Sequence, residues 1–158
     1  MKRIAMVMGG VALLGSLVAP VWAAKEDPME KAVNARQGYM KMNAFNMGIL
    51  AGMAKGEAPY DAAMAGVAAK NLQLASMMKN KAMWPPGTSN DNQQLKTDAL
   101  PAIWAEGSEI GAKAKAFGEA ATELAAVVDQ GVEQMKPKFA ALGKACKGCH
   151  EDYRAKKK

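Results

Sequence analysis

Near the end of the chain stands Cys146-Lys147-Gly148-Cys149-His150, and no other stretch limits the fold and chemistry as much. Two thiols at this spacing can add across the two vinyl groups of a haem, and the adjoining histidine then reaches the iron. Cys146 and Cys149 are three apart and His150 is four from Cys146, so on a helix all three side chains share one face. One helix can therefore carry the macrocycle and supply its axial ligand. Two other uses of such a motif compete. A thioredoxin-like redox pair requires a strand-to-helix setting, and this region reads as helix throughout. A structural zinc site takes four ligands, but the chain holds two cysteines and one histidine, all in this stretch, so carboxylates would have to complete the set. Covalent haem c is the reading that uses all three residues. With no second histidine, a second protein ligand to iron has to be softer, such as methionine, or absent.

The other end of the chain sets the compartment. Met1-Lys2-Arg3 precedes an apolar run from Ile4 to Val21, and Trp22-Ala23-Ala24 follows before the first acidic residue, Glu26. These are the three parts of a secretory signal peptide, with cleavage expected after Ala23. Residues 1–23 are thus read as a removed signal and 24–158 as one haem domain, exported to the periplasm and without a membrane anchor after cleavage. The formal charge of +6 includes Lys2 and Arg3, and much of the remaining excess lies in Arg154 and the final lysines. Such a tail complements the C-terminal dipole of a last helix, and nothing in it calls for nucleic acid.

Between the signal and the motif the pattern is helical. Met29, Val33, Arg36, Met40, Ala44, Met47 and Ala51 recur at three- and four-residue steps, so the first tract, from about Pro28 to Lys55, presents one stripe interrupted only by Arg36. Gly56-Glu57-Ala58-Pro59-Tyr60 forms a turn, and Asp61 is placed to cap a second tract that reaches about Lys81. From Met83 to about Leu100 turn formers replace helical period, which predicts one long loop able to close over an edge of the cofactor. Pro101 suits the start of a third tract running through Trp104 and Phe117 to about Val128. Pro137 is awkward inside a helix, so the fourth is expected to become regular near Lys136, with Val132 to Met135 as a less regular lead-in. No period-two alternation persists. The fold expected is all-α, an antiparallel up-down-up-down four-helix bundle whose core is rich in Ala and Met.

Several stretches together carry a family resemblance over nearly the whole mature chain. They are Ala35-Arg36-Gln37-Gly38-Tyr39-Met40, Ala54-Lys55-Gly56-Glu57-Ala58-Pro59-Tyr60-Asp61, Pro86-Gly87-Thr88, Thr97 with Pro101 and Trp104, and the haem motif continuing through Tyr153-Arg154. The sequence resembles the cytochrome c′ family, above all because the motif follows three helices rather than standing near the N-terminus. The resemblance implies thioether bonds at Cys146 and Cys149, and His150 as proximal ligand with its other nitrogen meeting water or Arg154. It implies that Arg36 and Gln37 meet the haem propionates, that Trp84 walls the distal side, and that two chains pair antiparallel through their first two helices. Met40 matches the residue facing the distal side of the iron. There it either blocks the sixth site of a five-coordinate iron that takes nitric oxide or carbon monoxide, or binds as the sixth ligand of a low-spin electron carrier serving a redox partner protein. Asn43, one turn on, replaces a commonly apolar side chain and is expected to point to another helix. Since His150 is the single histidine, no distal base exists to move protons on a bound peroxide, and the protein is not expected to be an enzyme.

Overall fold

A computed structural model describes residues 27–156. The expected signal peptide and the last two lysines of the tail lie outside the described residues. Four helices form: α1 (Pro28–Lys55), α2 (Ala62–Met77), α3 (Ile110–Ala125) and α4 (Val132–Tyr153), with short 3-10 turns at Lys81–Met83 and Pro101–Trp104. Consecutive helices pack as neighbours and α4 returns to α1, which closes the ring of an antiparallel bundle. The described residues contain no strand, only an isolated bridge between Ala99 and Arg154. None of their helices is long and apolar enough to cross a membrane.

Local chemistry sets both ends of α1 and the start of α2. Asp27 accepts from the Met29 N–H at 2.6 Å and Pro28 takes the first helical position, where a missing N–H costs nothing. Gly56, at φ 74°, closes α1 in the left-handed conformation that only glycine adopts freely. Asp61 caps α2 by accepting from Met64 N–H at 2.9 Å.

Four boundaries differ from the sequence expectation. The second helix stops at Met77, because Met78 turns extended and leads into the first 3-10 turn. The third begins at Ile110 and not at Pro101. Pro101–Trp104 is a separate 3-10 turn, and Glu106-Gly107 breaks the path with Gly107 at φ 76°. It also ends at Ala125, short of Val128. The fourth helix is regular from Val132, without the expected loose lead-in. Pro137 lies in its second turn, so the one hydrogen bond it forfeits is close to the helix start, where few bonds precede it.

The main core occupies one half of the bundle, at the end where α1 turns into α2 and α3 into α4. Leu50, Leu72, Leu124, Met135 and Leu142 are fully buried there, with Ala65, Ala68, Ala69 and Ala121 allowing close helix approach. Tyr60 clamps this end, donating to the Val128 carbonyl at 2.6 Å and accepting from Gly131 N–H at 3.2 Å. The other half holds a smaller cluster: Ala99, Ile103 and Tyr153, with Trp84, Trp104, Ile110 and Cys149 packed against it. That second half contains the haem motif.

Candidate functional site

Cys146, Cys149 and His150 lie in the last two turns of α4, each partly buried, and both cysteines are free thiols. Burial pushes the Cys146 thiol above its ordinary range, with a further rise from Cys149. Burial also raises Cys149, against the pull of the Lys113 ammonium and with the push of Asp152. A redox dithiol needs its thiolate stabilised, so this environment disfavours the thioredoxin-like reading. Zinc fares no better, since no group of three His, Cys, Asp or Glu side chains among the described residues is placed to hold a metal. Burial lowers the His150 pKa, and the charge of Arg154 lowers it further, so the imidazole keeps a free nitrogen lone pair. Two thiols and an imidazole on one helical face are the donor set that a covalently held haem requires.

The end of α4 is tied down from the loop side. Leu100 N–H donates to the Tyr153 carbonyl at 3.0 Å and Ala155 N–H to the Asp98 carbonyl at 2.8 Å. The Tyr153 hydroxyl accepts from Glu109 N–H at 2.8 Å, which supplies the start of α3 with a partner that no capping side chain provides. Lys113 and Asp152 pair across α3 and α4 at 2.8 Å. The haem-bearing turns are therefore positioned by a helix and by the long loop together.

Arg36 is the centre of that loop. It is 3% exposed. Its guanidinium donates to Thr88 Oγ1 at 2.7 Å, to Thr97 Oγ1 at 2.9 Å, to the Met83 carbonyl at 3.4 Å, and in a short contact to the Thr88 carbonyl. The planar cation lies 4.9 Å from the Trp84 ring centroid and 5.8 Å from that of Trp104. Burial lowers its pKa, and no carboxylate among the described residues forms an ion pair with it. Gln37 joins it by donating to the Lys96 carbonyl at 2.6 Å. Within the protein, then, the first-helix pair anchors the loop. Four of the five guanidinium N–H groups are committed to it, which leaves Nε–H.

Met40 projects from α1 with 38% of its surface exposed. Beside it Tyr39 donates to the Ala75 carbonyl at 3.1 Å. Burial raises the Tyr39 phenol, a hydrogen bond with Asn43 opposes the rise, and the charge of nearby Cys146 adds to it. Tyr39 and Asn43 thus connect the surroundings of Met40 to the haem-bearing helix. The family resemblance singled out Arg36, Gln37, Met40, Trp84 and Arg154, and the structure gathers Arg36, Gln37 and Trp84 on the loop and Arg154 beside His150. Reading the sequence did not reveal Tyr153 as the clamp on α3, or Thr88 and Thr97 as acceptors for Arg36. An unpaired arginine on an apolar stripe was the available clue, because a buried guanidinium has to find acceptors somewhere.

Comparison with known proteins matches this arrangement. The family model for cytochrome c′ covers residues 31–154. A cytochrome c′ of Cereibacter sphaeroides is 38% identical over 146 residues, covering 92% of this chain and 97% of that protein. A cytochrome c-554 of the same organism is 36% identical over 147 residues, covering 92% and 95%. Among solved structures, a cytochrome c′ from Rhodobacter sphaeroides superposes with a TM-score of 0.79 at 38% identity, over 84% of this chain and all of that one. A cytochrome c′ described as having ligand-controlled dimer dissociation gives 0.73 at 32% identity, over 84% and 100%. A nitric oxide complex of a variant cytochrome c′ from Alcaligenes xylosoxidans gives 0.71 at 31%, over 84% and 100%. With a matching fold and a family model covering residues 31–154, the chain belongs to the cytochrome c′ family, whose members carry covalently bound haem c.

Proposed function

We propose that the protein is an exported monohaem c-type cytochrome that binds a diatomic gas, nitric oxide or carbon monoxide, at a five-coordinate iron. The observation carrying this reading is the joint placement of two free thiols and an imidazole on one face of α4. Cys146 and Cys149 are assigned the two thioether bonds, and His150 the proximal position. Bound there, haem would supply an iron able to take a small ligand and to exchange an electron. Arg36, through its remaining Nε–H, and Gln37 are assigned to the propionates, and Trp84 to the wall beside them. Burial, with the Arg154 charge as the smaller contribution, favours the neutral form of His150. Met40 is assigned as a plug on the distal side, and the nitric oxide complex of a relative at 31% identity supports gas as the ligand.

The outer surfaces of α1 and α2 support a homodimer. Met42, Phe45, Met64, Val67 and Leu74 are exposed on these two helices, with Phe45 at 70%, and such a face is stabilised by covering it with its own copy. A periplasmic location follows from the signal-like N-terminus. Electron transfer and the absence of enzymatic turnover belong to the same proposal, since His150 is the one histidine.

A second reading has Met40 and His150 as the two axial ligands of a low-spin electron carrier. It is favoured by the thioether at this position and by the nearly equal similarity to a relative named cytochrome c-554. Absorption spectra of the oxidised and dithionite-reduced protein separate the two. A broad, unsplit visible band on reduction supports the open iron. Sharp α and β bands with an iron–thioether charge-transfer band establish the second reading instead. Met40→Ala is expected to speed gas entry while leaving the spectrum of the ligand-free protein unchanged.

A further inference from the structure

The homodimer reading leaves open how two copies find a single alignment on a largely apolar face, and one amide on that face bears on this. Met64, Val67, Asn71 and Leu74 of α2 follow one another at three- and four-residue steps, and all four are exposed. This is the spacing of a seam that another helix can cover, with a polar residue at one of its central positions. Exposed Met42 and Phe45 supply the α1 side of the same face, and buried Asn46 joins the two helices. Its Oδ1 accepts from Asn71 Nδ2 at 3.0 Å. The other end of the Asn46 amide is fixed too, because Nδ2 donates to the Met42 carbonyl at 2.9 Å and a carbonyl can only accept. Asn46 therefore presents oxygen to α2 and Asn71 answers with its NH2, so the hydrogen bonds set the orientation of both amides. One N–H of Asn71 is spent in this way. Its oxygen and second N–H take no part in that bond, and they stand at an exposed position between Val67 and Leu74.

We propose that Asn71 sets the register of the homodimer, with the Asn71 amides of two copies pairing across the two-fold axis. A residue on such an axis meets its own copy, and helices that cross there run antiparallel. A primary amide is its own complement: each Asn71 gives its second N–H to the other's oxygen and accepts in return. Water satisfies these groups in the single chain, but once the face is covered they have to pair inside the interface. A slip along the seam would set each amide against a valine or leucine of the other copy and bury it unpaired, whereas apolar side chains alone tolerate more than one alignment. The occupant is a second copy because symmetry brings the matching donor and acceptor, and because Lys70 is the one charged residue of α2, so two such faces meet with little repulsion. The inference rests on the homodimer reading of this face.

The test uses the holoprotein with Asn71→Asp or Asn71→Lys, alone and mixed, and reads dimerisation by sedimentation. Asn71 is exposed in the single chain, so both variants are expected to fold, which circular dichroism and the haem spectrum check. Each variant alone brings like charges together on the axis and is expected to weaken dimerisation about a hundredfold at neutral pH. An equimolar mixture pairs carboxylate with ammonium and is expected to return to within about tenfold of wild type. Register is read separately, by double electron–electron resonance between nitroxides at Lys115→Cys, which lies on α3 outside the face. Wild type should give one narrow distance between copies, and Asn71→Leu a broad set at equal or tighter affinity. A mixture that associates no better than its separate variants, or the same narrow distance in Asn71→Leu, overturns the role of Asn71 while a wild-type dimer remains. A wild type that stays monomeric at every concentration reached overturns the homodimer reading, and the register with it.

Discussion

At the end of the bundle where α1 turns into α2, the space between helices is filled by Leu50, Leu72, Leu124, Met135 and Leu142. At the opposite end the most deeply buried groups include Arg36, Thr88 and Ser89, and the haem motif packs against a loop rather than against a continuing leucine layer. The two ends share four helices but depend on different physics. The first is stabilised by apolar burial and demands only complementary volume. The second is held by directed contacts, from Arg36 to the loop and from Tyr153 to α3, arranged about two thiols and an imidazole. A covalent cofactor divides a small bundle in this way: one half folds on its own residues, and the other is shaped to be completed.

The sharpest way to break this comparison is to remove the attachment. Cys146→Ser with Cys149→Ser is expected to abolish covalent haem, read as loss of the haem mass after denaturation. Hydrogen exchange of the resulting chain should show protection retained around Leu50, Leu72 and Leu124 and lost in the last turns of α4 and in residues 84–100. Equal loss of protection at both ends would show that the halves are one cooperative unit.

Leu72→Ala tests the apolar half directly. Leu72 is fully buried, so the truncation is expected to cost about 3 kcal/mol by urea unfolding, in the haem-bearing protein and in the double-serine chain alike. A cost confined to the haem-bearing protein would mean that this half also depends on the cofactor. Arg36→Leu probes the other half with a smaller expected effect, about 2 kcal/mol in the haem-bearing protein, because several loop acceptors lose one charged donor. Its second readout is limited proteolysis, which should begin to cut between residues 84 and 100. A loop that remains resistant would show that the Ala99–Arg154 bridge and its neighbouring hydrogen bonds hold it unaided.

The same division explains what could be read from the sequence. Apolar period and capping chemistry are local, so α1 was legible to the residue from Pro28 to Gly56, and the Cys146-to-His150 motif identified its own chemistry. The failures fall where a distant partner decides. Pro101 looks like a helix start, but its 3-10 turn packs with Tyr153, 52 residues on, and the true start of α3 takes its hydrogen-bond partner from that same residue. Arg36 could be recognised as functional from its place on an apolar stripe, yet its acceptors lie 47 to 61 residues away in a loop with no period to read. Asn43 was visible as an anomaly. Only the three-dimensional arrangement showed that its amide oxygen is buried without a hydrogen-bond partner among the described residues.

The smallest expected effect sharpens the comparison most finely, because one chemical change can be made in each half. Tyr60 and Tyr153 both use a hydroxyl to join parts of the chain far apart in sequence, Tyr60 at the apolar end and Tyr153 at the haem end. Tyr60→Phe and Tyr153→Phe each delete one oxygen and leave the ring in place, and each is expected to cost about 1 kcal/mol in the haem-bearing protein. In the double-serine chain the two should separate. Tyr60→Phe should keep its full cost, since the Val128 carbonyl and Gly131 N–H that its hydroxyl joins lie at the apolar end whether or not haem is attached. Tyr153→Phe should cost little there, since the Glu109 N–H it serves belongs to the half that the cofactor completes and can turn to water. A double-mutant comparison in both chains measures that difference, and equal costs for Tyr153→Phe with and without haem would place the end of α4 among the elements that the polypeptide orders unaided.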